Sequence, residues 1–374
     1  MGFLLKDILE AIKGRLQEVD GAIGKEGTIK GVSIDSRTIV PGEIFFALKG
    51  ARYDGHGYIA EALTRGASSV VVERPEAVRS SGVKEGGVKV VVVDDTLRAL
   101  GDLAASLRER YPIPLLAVGG STGKTTTKDM ASLILGADGK EVLKTKGNMN
   151  NLIGLPLTLL DLDATFDFAV VELGISVAGE MERLAGISRP DVALLTNIGC
   201  GHIETLGDIE GVAMEKGELF GALSEEGVKI VNLDDPWTVR LADMDDEVKG
   251  SKCDRVTYSI EENADVSVSE VTEFGLDGTK VVYNVLGEDI EVRFNSPSIV
   301  NIQNGAAAIA GVLPLAASPE AMRQGLNSFM PESHRMVVIN ADGVTILDDT
   351  YNANPESVAV AVSTLNRAEG RKVA

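Results

Sequence analysis

Residues 115–128 read LLAVGGSTGKTTTK. An apolar run stops at two glycines, a third glycine follows, and Lys124 and Thr125 open a helix-forming stretch. A buried strand turning into a helix across glycines leaves backbone N–H groups facing one point, and the helix terminus adds positive potential there. The full phosphate-loop pattern requires glycine at position 118, where this chain has Val118. What remains is the shorter G-x-x-G-K-T from Gly120 to Thr125. A glycine-rich turn entering a helix is the bland alternative. Strand, glycines, lysine and threonine in the required order favour a nucleoside triphosphate, with ATP as the expected ligand. Gly120, Ser121, Thr122, Gly123, Lys124, Thr125 and Thr126 are therefore the expected nucleotide-binding residues, with the Thr125 hydroxyl offered to Mg2+.

Working outward, the same rhythm repeats. FDFAVVELG precedes GEMERLAGI, DVALLTNIG precedes a helix around 211–223, and VKIVNLDD precedes PWTVRLADM. Apolar strands alternating with amphipathic helices predict right-handed βαβ units and a mostly parallel sheet covered on both faces. Residues 254–295 alternate with period two and are expected to append antiparallel strands. Helices are expected near 299–313 and 319–329. Upstream, short β-branched runs from Thr28 to Val93, with a helix near 58–66, predict a small α/β domain. A helix over 96–110 then leads to YPIP at 111–114, which sets a boundary. After Pro331 the pattern restarts with a hairpin around Asp342-Gly343 and a helix from Pro355 to Ala368 that opens after Asn354. The closing RKVA reads as the start of another strand. The expected organisation is α/β throughout: a first domain over 1–112, a central nucleotide-binding domain over 113–330, and an incomplete C-terminal domain over 331–374.

Composition narrows the function. The 374 residues carry 56 acidic and 36 basic side chains, a formal charge of −20. That charge argues against general nucleic-acid or anionic-membrane binding, though not against one local phosphate site. Two cysteines and three histidines exclude a disulfide framework or a thiolate zinc cluster and suit a reducing compartment. The opening MGFLLKDILEAIKG is a short amphipathic helix rather than a leader, and the weakly polar run 306–317 is too short to span a membrane. A cytoplasmic monomer without stable membrane insertion is expected.

Beyond the phosphate loop, Glu172 ends one strand, and His202 and Glu204 follow another. Strand carboxyl ends line the crevice of an open parallel sheet, so these groups are candidates to face the loop. A carboxylate there holds Mg2+ directly or through water. Lys216 lies among Glu215 and Glu218 on a helix. Taken alone it reads as a solvated helix face.

These pieces together resemble the Mur ligase family over essentially the whole chain. The matching text is IDSRTIVPGEIFFALKGARYDGHGYIAEAL, GGSTGKTTTKDM, KGNMNNLIGLPLTLL, VVELG, RPDVALLTNIGCGHIETLGDIEGVAMEKGELF, VNIQNGAAAIA and HRMVVINADGVTILDDTYNANPESV. NNLIGLPLTLL and DDTYNANPES point to the branch that adds D-alanyl-D-alanine to UDP-N-acetylmuramoyl-tripeptide in peptidoglycan synthesis. The resemblance implies an ATP-dependent, ADP-forming ligase working through an acyl phosphate. It implies Lys124 on the triphosphate, Thr125, Glu172, His202 and Lys216 as metal positions, and Lys216 as a lysine carbamoylated by CO2. Asn301 and Asn304 would flank the adenine, with Arg335 and Asp349 closing on the phosphates and ribose. Lys124, Lys216, His202 and Arg335 are the implied catalytic set. Ser36, Arg37, Phe46, Lys49, Asp54 and Gly55 would hold the uridine nucleotide, and Asn150 and Asn151 the muramoyl-peptide. The chain departs from the family pattern at Gly119 (usually Thr), Val177 (often His) and Val300 (commonly His). The rival readings are a sister ligase adding a single amino acid, a nucleotide-binding protein without ligase chemistry, and a fragment that binds but does not catalyse.

Overall fold

The computed structural model describes residues 2–17, 27–50, 52–80, 88–249, 253–351 and 355–374. The chain divides into two compact units, residues 1–112 with 152–163, and residues 113–151 with 164–374.

In the first unit, β1 (Phe3–Leu4), α1 (Leu5–Ala11) and β2 (Arg15–Gln17) precede β3 (Thr28–Ile29), β4 (Val32–Ser33) and β5 (Ile44–Phe46). Then come α2 (Ile59–Thr64), β6 (Ser69–Val72), α3 (Glu76–Ser80), β7 (Lys89–Val92) and α4 (Thr96–Arg110). The sheet order is β2-β7-β6-β5-β4, parallel except for β2. All three residues of β5 and all four of β6 are buried, as expected of parallel strands covered on both faces. α4 starts where Asp95 caps the Arg98 N–H at 2.9 Å.

The second unit is built on β8 (Leu115–Gly119), whose five residues are all buried. It continues through α5 (Lys124–Ala137), β9 (Val142–Lys144), then α6 (Gly154–Leu159), which belongs to the first unit and packs on α4. Beyond lie β10 (Phe168–Glu172), α7 (Glu180–Ser188), β11 (Val192–Leu195), α8 (Ile203–Leu206), α9 (Ile209–Gly221), β12 (Val228–Asn232) and α10 (Pro236–Lys249). The strands β13 (Asp254–Ser259), β14 (Val266–Glu273), β15 (Thr279–Val285) and β16 (Glu288–Phe294) lead to α11 (Val300–Val312) and α12 (Pro319–Asn327). The hairpin β17 (Val337–Ala341) and β18 (Val344–Asp348) and the helix α13 (Pro355–Arg367) complete the unit.

The nine-stranded sheet runs β16-β15-β14-β13-β12-β11-β8-β10-β9. Side chains alternate across β8. Leu116 and Val118 enter the core made with Met130 and Ile134 of α5, Ile302 and Ile309 of α11, and Met322 and Leu326 of α12. On the other face, a Cβ at Gly119 would meet Leu195, Leu219 of α9 and Met181 of α7. Each buried leucine or valine of this core contributes about 1.5–3 kcal/mol through desolvation.

The chain runs from β8 outward to β9 and β10 on one side, then crosses to β11 on the other. That reversal opens a crevice at the carboxyl end of β8. Register fixes what flanks it, since Glu172 pairs opposite Val118, and Leu195 opposite Gly119.

Two details differ from the expectation. β13 is parallel to β12, and its end pairs in parallel with the start of β14, so only β14, β15 and β16 form the antiparallel extension. Period two is common to both pairings and does not distinguish them. The RKVA residues, 371–374, form no strand. Among the described residues the hairpin β17–β18 has no other strand in its sheet, and a strand exists only through pairing. Asn354, expected to precede the last helix, lies outside the described residues. The hairpin itself turns through Asp342 and Gly343, with φ of +49° and +81°, the signs a type I′ turn requires.

Candidate active site

The phosphate loop is shaped by the strand beside it. Gly120 has φ +127°, and a Cβ there would lie 2.0 Å from Thr196 Oγ1, so only glycine lets the loop pass this close to the end of β11. The Thr196 hydroxyl donates to the Thr122 carbonyl at 2.6 Å. Asn197 accepts two main-chain N–H groups of the loop: Ser121 N–H donates to its carbonyl at 2.9 Å and Thr122 N–H to its Oδ1 at 3.0 Å. Gly199 N–H donates to Ser121 Oγ at 2.7 Å. Gly123, with φ +78°, caps α5, and a Cβ there would lie 2.4 Å from Asn304 Oδ1. The opening turn of α5 thus presents N–H groups that lack intrahelical acceptors.

An open cleft of 360 Å³ lies over this turn. It is lined by Ser121, Thr122, Gly123, Lys124, Thr125 and Thr126 of the loop, Asn150, Glu172, Asn301, Asn304, Arg335 and Asp349. Glu172 is expected at the metal, and the others at the nucleotide or the substrate. Ser298, Val300, Phe329, Pro331, Met336, Tyr351, Ser357 and Val360 complete the lining.

Charge is concentrated at the loop. Lys124 Nζ donates to the carbonyls of Gly120 and Ser121, both at 3.0 Å. Burial and the Arg335 charge lower its pKa, while the Glu172 carboxylate opposes the shift. Glu172, 2% exposed, accepts from Asn150 Nδ2 at 2.7 Å through Oε1, and its Oε2 is buried with no hydrogen-bond partner among the described residues. Arg335 Nη2 donates to Thr125 Oγ1 at 3.1 Å, and its guanidinium carbon sits 4.0 Å from the centre of the Tyr351 ring. Asp349 Oδ1 accepts the Met336 N–H at 3.1 Å, and burial raises its pKa.

Lys216 approaches from behind the loop. Its Nζ, on a side chain 2% exposed, donates to Gly120 O at 2.9 Å. Desolvation first, then the Lys124 charge, bring its pKa down to about 7, against the pull of Glu215. His202 is exposed at the start of α8 with φ +68°. Desolvation and the charges of Lys216 and Lys124 lower its pKa. Neither Lys216 nor His202 lines the cleft. Asn151 is exposed beside Asn150.

The remaining expected residues belong to the first unit. Ser36 Oγ donates to Glu61 at 2.8 Å, and Arg37 forks onto Asp35 at 2.7 and 2.9 Å. Phe46 is fully buried at the end of β5, so its side chain serves the core. Lys49 and Asp54 face one another across a β-bridge. Asp54 Oδ1 is 2.7 Å from His56 Nδ1, and its other oxygen bonds Arg74. Gly55 is pressed against the Leu48 backbone, with a Cβ position 2.7 Å from Leu48 N.

The departures have local accounts. Leu195 and Leu219 fill the space a side chain at position 119 would occupy. Val177 is 47% exposed, and its N–H donates to Glu180 at 3.1 Å. Val300 lies in the cleft wall at the start of α11.

A parallel sheet with a glycine-lined helix terminus, a lysine and a bare buried carboxylate at its switch point defines a phosphate-loop nucleotide-binding protein. The comparisons with known proteins specify it further. Residues 118–312 match the Mur ligase middle domain and residues 28–108 the catalytic domain of the Mur ligase family. The UDP-N-acetylmuramoyl-tripeptide--D-alanyl-D-alanine ligase of Escherichia coli is 34% identical over 372 residues, covering 99% of this chain and 77% of that protein. The Bacillus subtilis enzyme of the same name is 34% identical over 371 residues, covering 98% and 76%. Crystal structure I of MurF from Acinetobacter baumannii superposes with a TM-score of 0.89 at 30% identity, covering 100% of this chain and 78% of that one. MurF from Thermotoga maritima in complex with ADP gives 0.79 at 28% identity, covering 91% and 75%. The chain belongs to the Mur ligase family.

Proposed function

We propose that this chain is an ATP-dependent, ADP-forming ligase that adds D-alanyl-D-alanine to UDP-N-acetylmuramoyl-tripeptide in peptidoglycan synthesis. The observation that carries the reading is the meeting of Lys124, Thr125, Glu172 and Arg335 in one cleft over the start of α5, within a chain similar along nearly its whole length to ligases of that name.

The residues fit a bound divalent cation. Glu172 Oε2 is buried and unpartnered, an arrangement that costs free energy unless something positive meets it. The Thr125 hydroxyl supplies a second hard oxygen. Mg2+ held by Thr125 and Glu172 would neutralise phosphate charge as the γ-phosphoryl group is transferred. His202 and a carbamate on Lys216 are proposed for a second position. Lys216 is neutral at pH above about 7, the form whose lone pair takes up CO2 while a proton leaves.

In the reaction the terminal carboxylate of the peptide attacks the γ-phosphorus, giving an acyl phosphate and ADP. The D-alanyl-D-alanine amine then displaces phosphate. Lys124 and the loop N–H groups hold the β- and γ-phosphates, and Arg335 screens the approach of two anions. Asn301 and Asn304 flank the adenine and Asp349 the ribose. Asn150 and Asn151 approach the peptide. In the first unit Ser36, Arg37, Phe46, Lys49, Asp54 and Gly55 hold the uridine nucleotide, Phe46 through its main chain.

The test is phosphate release from ATP with UDP-N-acetylmuramoyl-tripeptide, Mg2+ and bicarbonate. Release is expected with D-alanyl-D-alanine. Release with meso-diaminopimelate or lysine instead would identify a sister ligase, and none with any amine would remove the ligase reading.

A further inference from the structure

Lys128 is the puzzle outside the chemistry just described. It lies one helical turn beyond Lys124 on α5, is 1% exposed, and carries an ammonium where desolvation penalises charge. Its Nζ donates to the Thr145 carbonyl at 2.8 Å and lies 3.2 Å from Asp129 Oδ1. Asp129 already has a more accessible partner in Lys144 at 2.9 Å, so the bond to Thr145 is the one only Lys128 makes.

Thr145 leads to the carboxylate of the cleft. Its Oγ1 accepts the Glu172 N–H at 3.0 Å, and the Thr145 side chain is fully buried. Five residues on, Asn150 Nδ2 donates to Glu172 Oε1 at 2.7 Å, and the Gly174 N–H donates to Asn150 O at 2.8 Å. A Cβ at Gly174 would lie 2.7 Å from the Asn150 side chain, which shows how closely the two segments abut. The segment 145–150 therefore grips the end of β10 at both its ends.

We infer that Lys128 is a positioning residue: through Thr145 it ties the phosphate-loop helix to the strand end bearing Glu172, and so sets the bare carboxylate oxygen relative to the loop. This rests on the reading of Glu172 as a cation ligand. A buried charge suits the task because an ammonium bonded to a carbonyl in low dielectric is strong and directional.

The experiment is Mn2+ binding to the protein with ADP, followed by electron paramagnetic resonance, alongside metal-free ADP binding by calorimetry. Glu172→Gln tests the underlying reading: if it leaves Mn2+·ADP affinity unchanged, that reading fails, whatever Lys128 does. If Glu172→Gln weakens Mn2+, Lys128→Met is expected to weaken it about tenfold, with metal-free ADP affinity within about twofold of the parent, as for loss of an outer support of a ligand. Thr145→Val, which removes only the acceptor for the Glu172 N–H, is expected to act in the same direction, and Thr145→Ser to restore binding. Asp129→Asn disturbs the same ion cluster without touching Thr145 and is expected to lower Tm while sparing Mn2+. Should Lys128→Met not fold, the threonine pair decides. Equal Mn2+ affinity in Thr145→Val and the parent, or equal Mn2+ loss in Asp129→Asn and Lys128→Met, overturns the inference.

Discussion

Lys124 and Lys216 donate to the same atom, the carbonyl oxygen of Gly120, at 3.0 and 2.9 Å. Two ammonium groups that close raise each other's cost of ionisation. The deeper one, Lys216, is brought to about pKa 7 by desolvation and by Lys124.

The folded state therefore loses the Lys216 proton near 7, whereas the unfolded chain keeps it to about 10.5. Between these values the unfolded state binds more protons, so this group makes stability rise with pH; below 7 its burial cost is fully present. Lys216→Met removes that cost. The variant is expected to melt several degrees above the parent at about pH 6, with the gap shrinking toward about pH 9.5, while ligase turnover falls at least about a hundredfold. Calorimetry across pH checks it, and a gap independent of pH would contradict the assignment.

Gly120→Ala places a methyl carbon 2.0 Å from Thr196 Oγ1 at φ +127°. Either the loop or the end of β11 must move. We expect at least about a tenfold loss in kcat/KM for ATP together with a lower Tm, since such backbone positions cost about 1–3 kcal/mol for non-glycine residues. Gly136→Ala, at a helix position where a Cβ meets nothing within 4 Å, is the control and should leave kcat/KM unchanged without lowering Tm, since alanine favours the helix over glycine.

Tyr351 lies face-on to Arg335. Removing that face with Tyr351→Leu is expected to raise KM for ATP about three- to tenfold, within the range of a partly desolvated cation–π contact. Tyr351→Phe should stay within about twofold because the face remains. A double-mutant cycle checks the route of the effect. In an Arg335→Ala background Tyr351→Leu should add nothing, whereas an additive loss would mean that Tyr351 acts on the nucleotide without Arg335.

At the opposite end of the sheet, Lys229 is fully buried in β12 and bonds Asp245 at 2.5 Å and Asp246 at 2.6 Å. Burial disfavours its charge, but the two carboxylates prevail and its pKa is raised. Lys229→Met removes the buried ammonium that both carboxylates share, leaving Asp246 to Arg255, and should cost about 3–5 kcal/mol. Chemical denaturation measures this, and kcat at a temperature well below Tm should be unaffected.

Much of this architecture was legible because local and global signals agree. α4 and α5 begin where Asp95 and the glycine loop place them, and β8, β10 and β11 are apolar runs, β8 leading into the loop and β10 ending at Glu172 of the cleft. Lys124, Thr125 and Glu172 follow from that. Other features leave no local trace. Residues 154–159 are apolar, which says that they are buried but not in which unit. Asn197 looks like any turn residue after a strand, and its role depends on Thr122, 75 positions away. Lys128 reads as one more polar residue after three threonines until Thr145 is placed beside it. Lys216 was readable only through resemblance, because its acidic neighbours suggest solvent while its own side chain points inward.

The support of Thr196 has one last consequence. Its hydroxyl holds the Thr122 carbonyl, and its own carbonyl accepts from Asn232 Nδ2 at 2.8 Å and from the buried Tyr258 hydroxyl at 3.0 Å. Strands β11, β12 and β13 thus act together on one turn. The stretch from Gly119 to Thr125 is not a portable module: transplanted between another strand and helix, it would carry its glycines and lysine but leave its curvature behind.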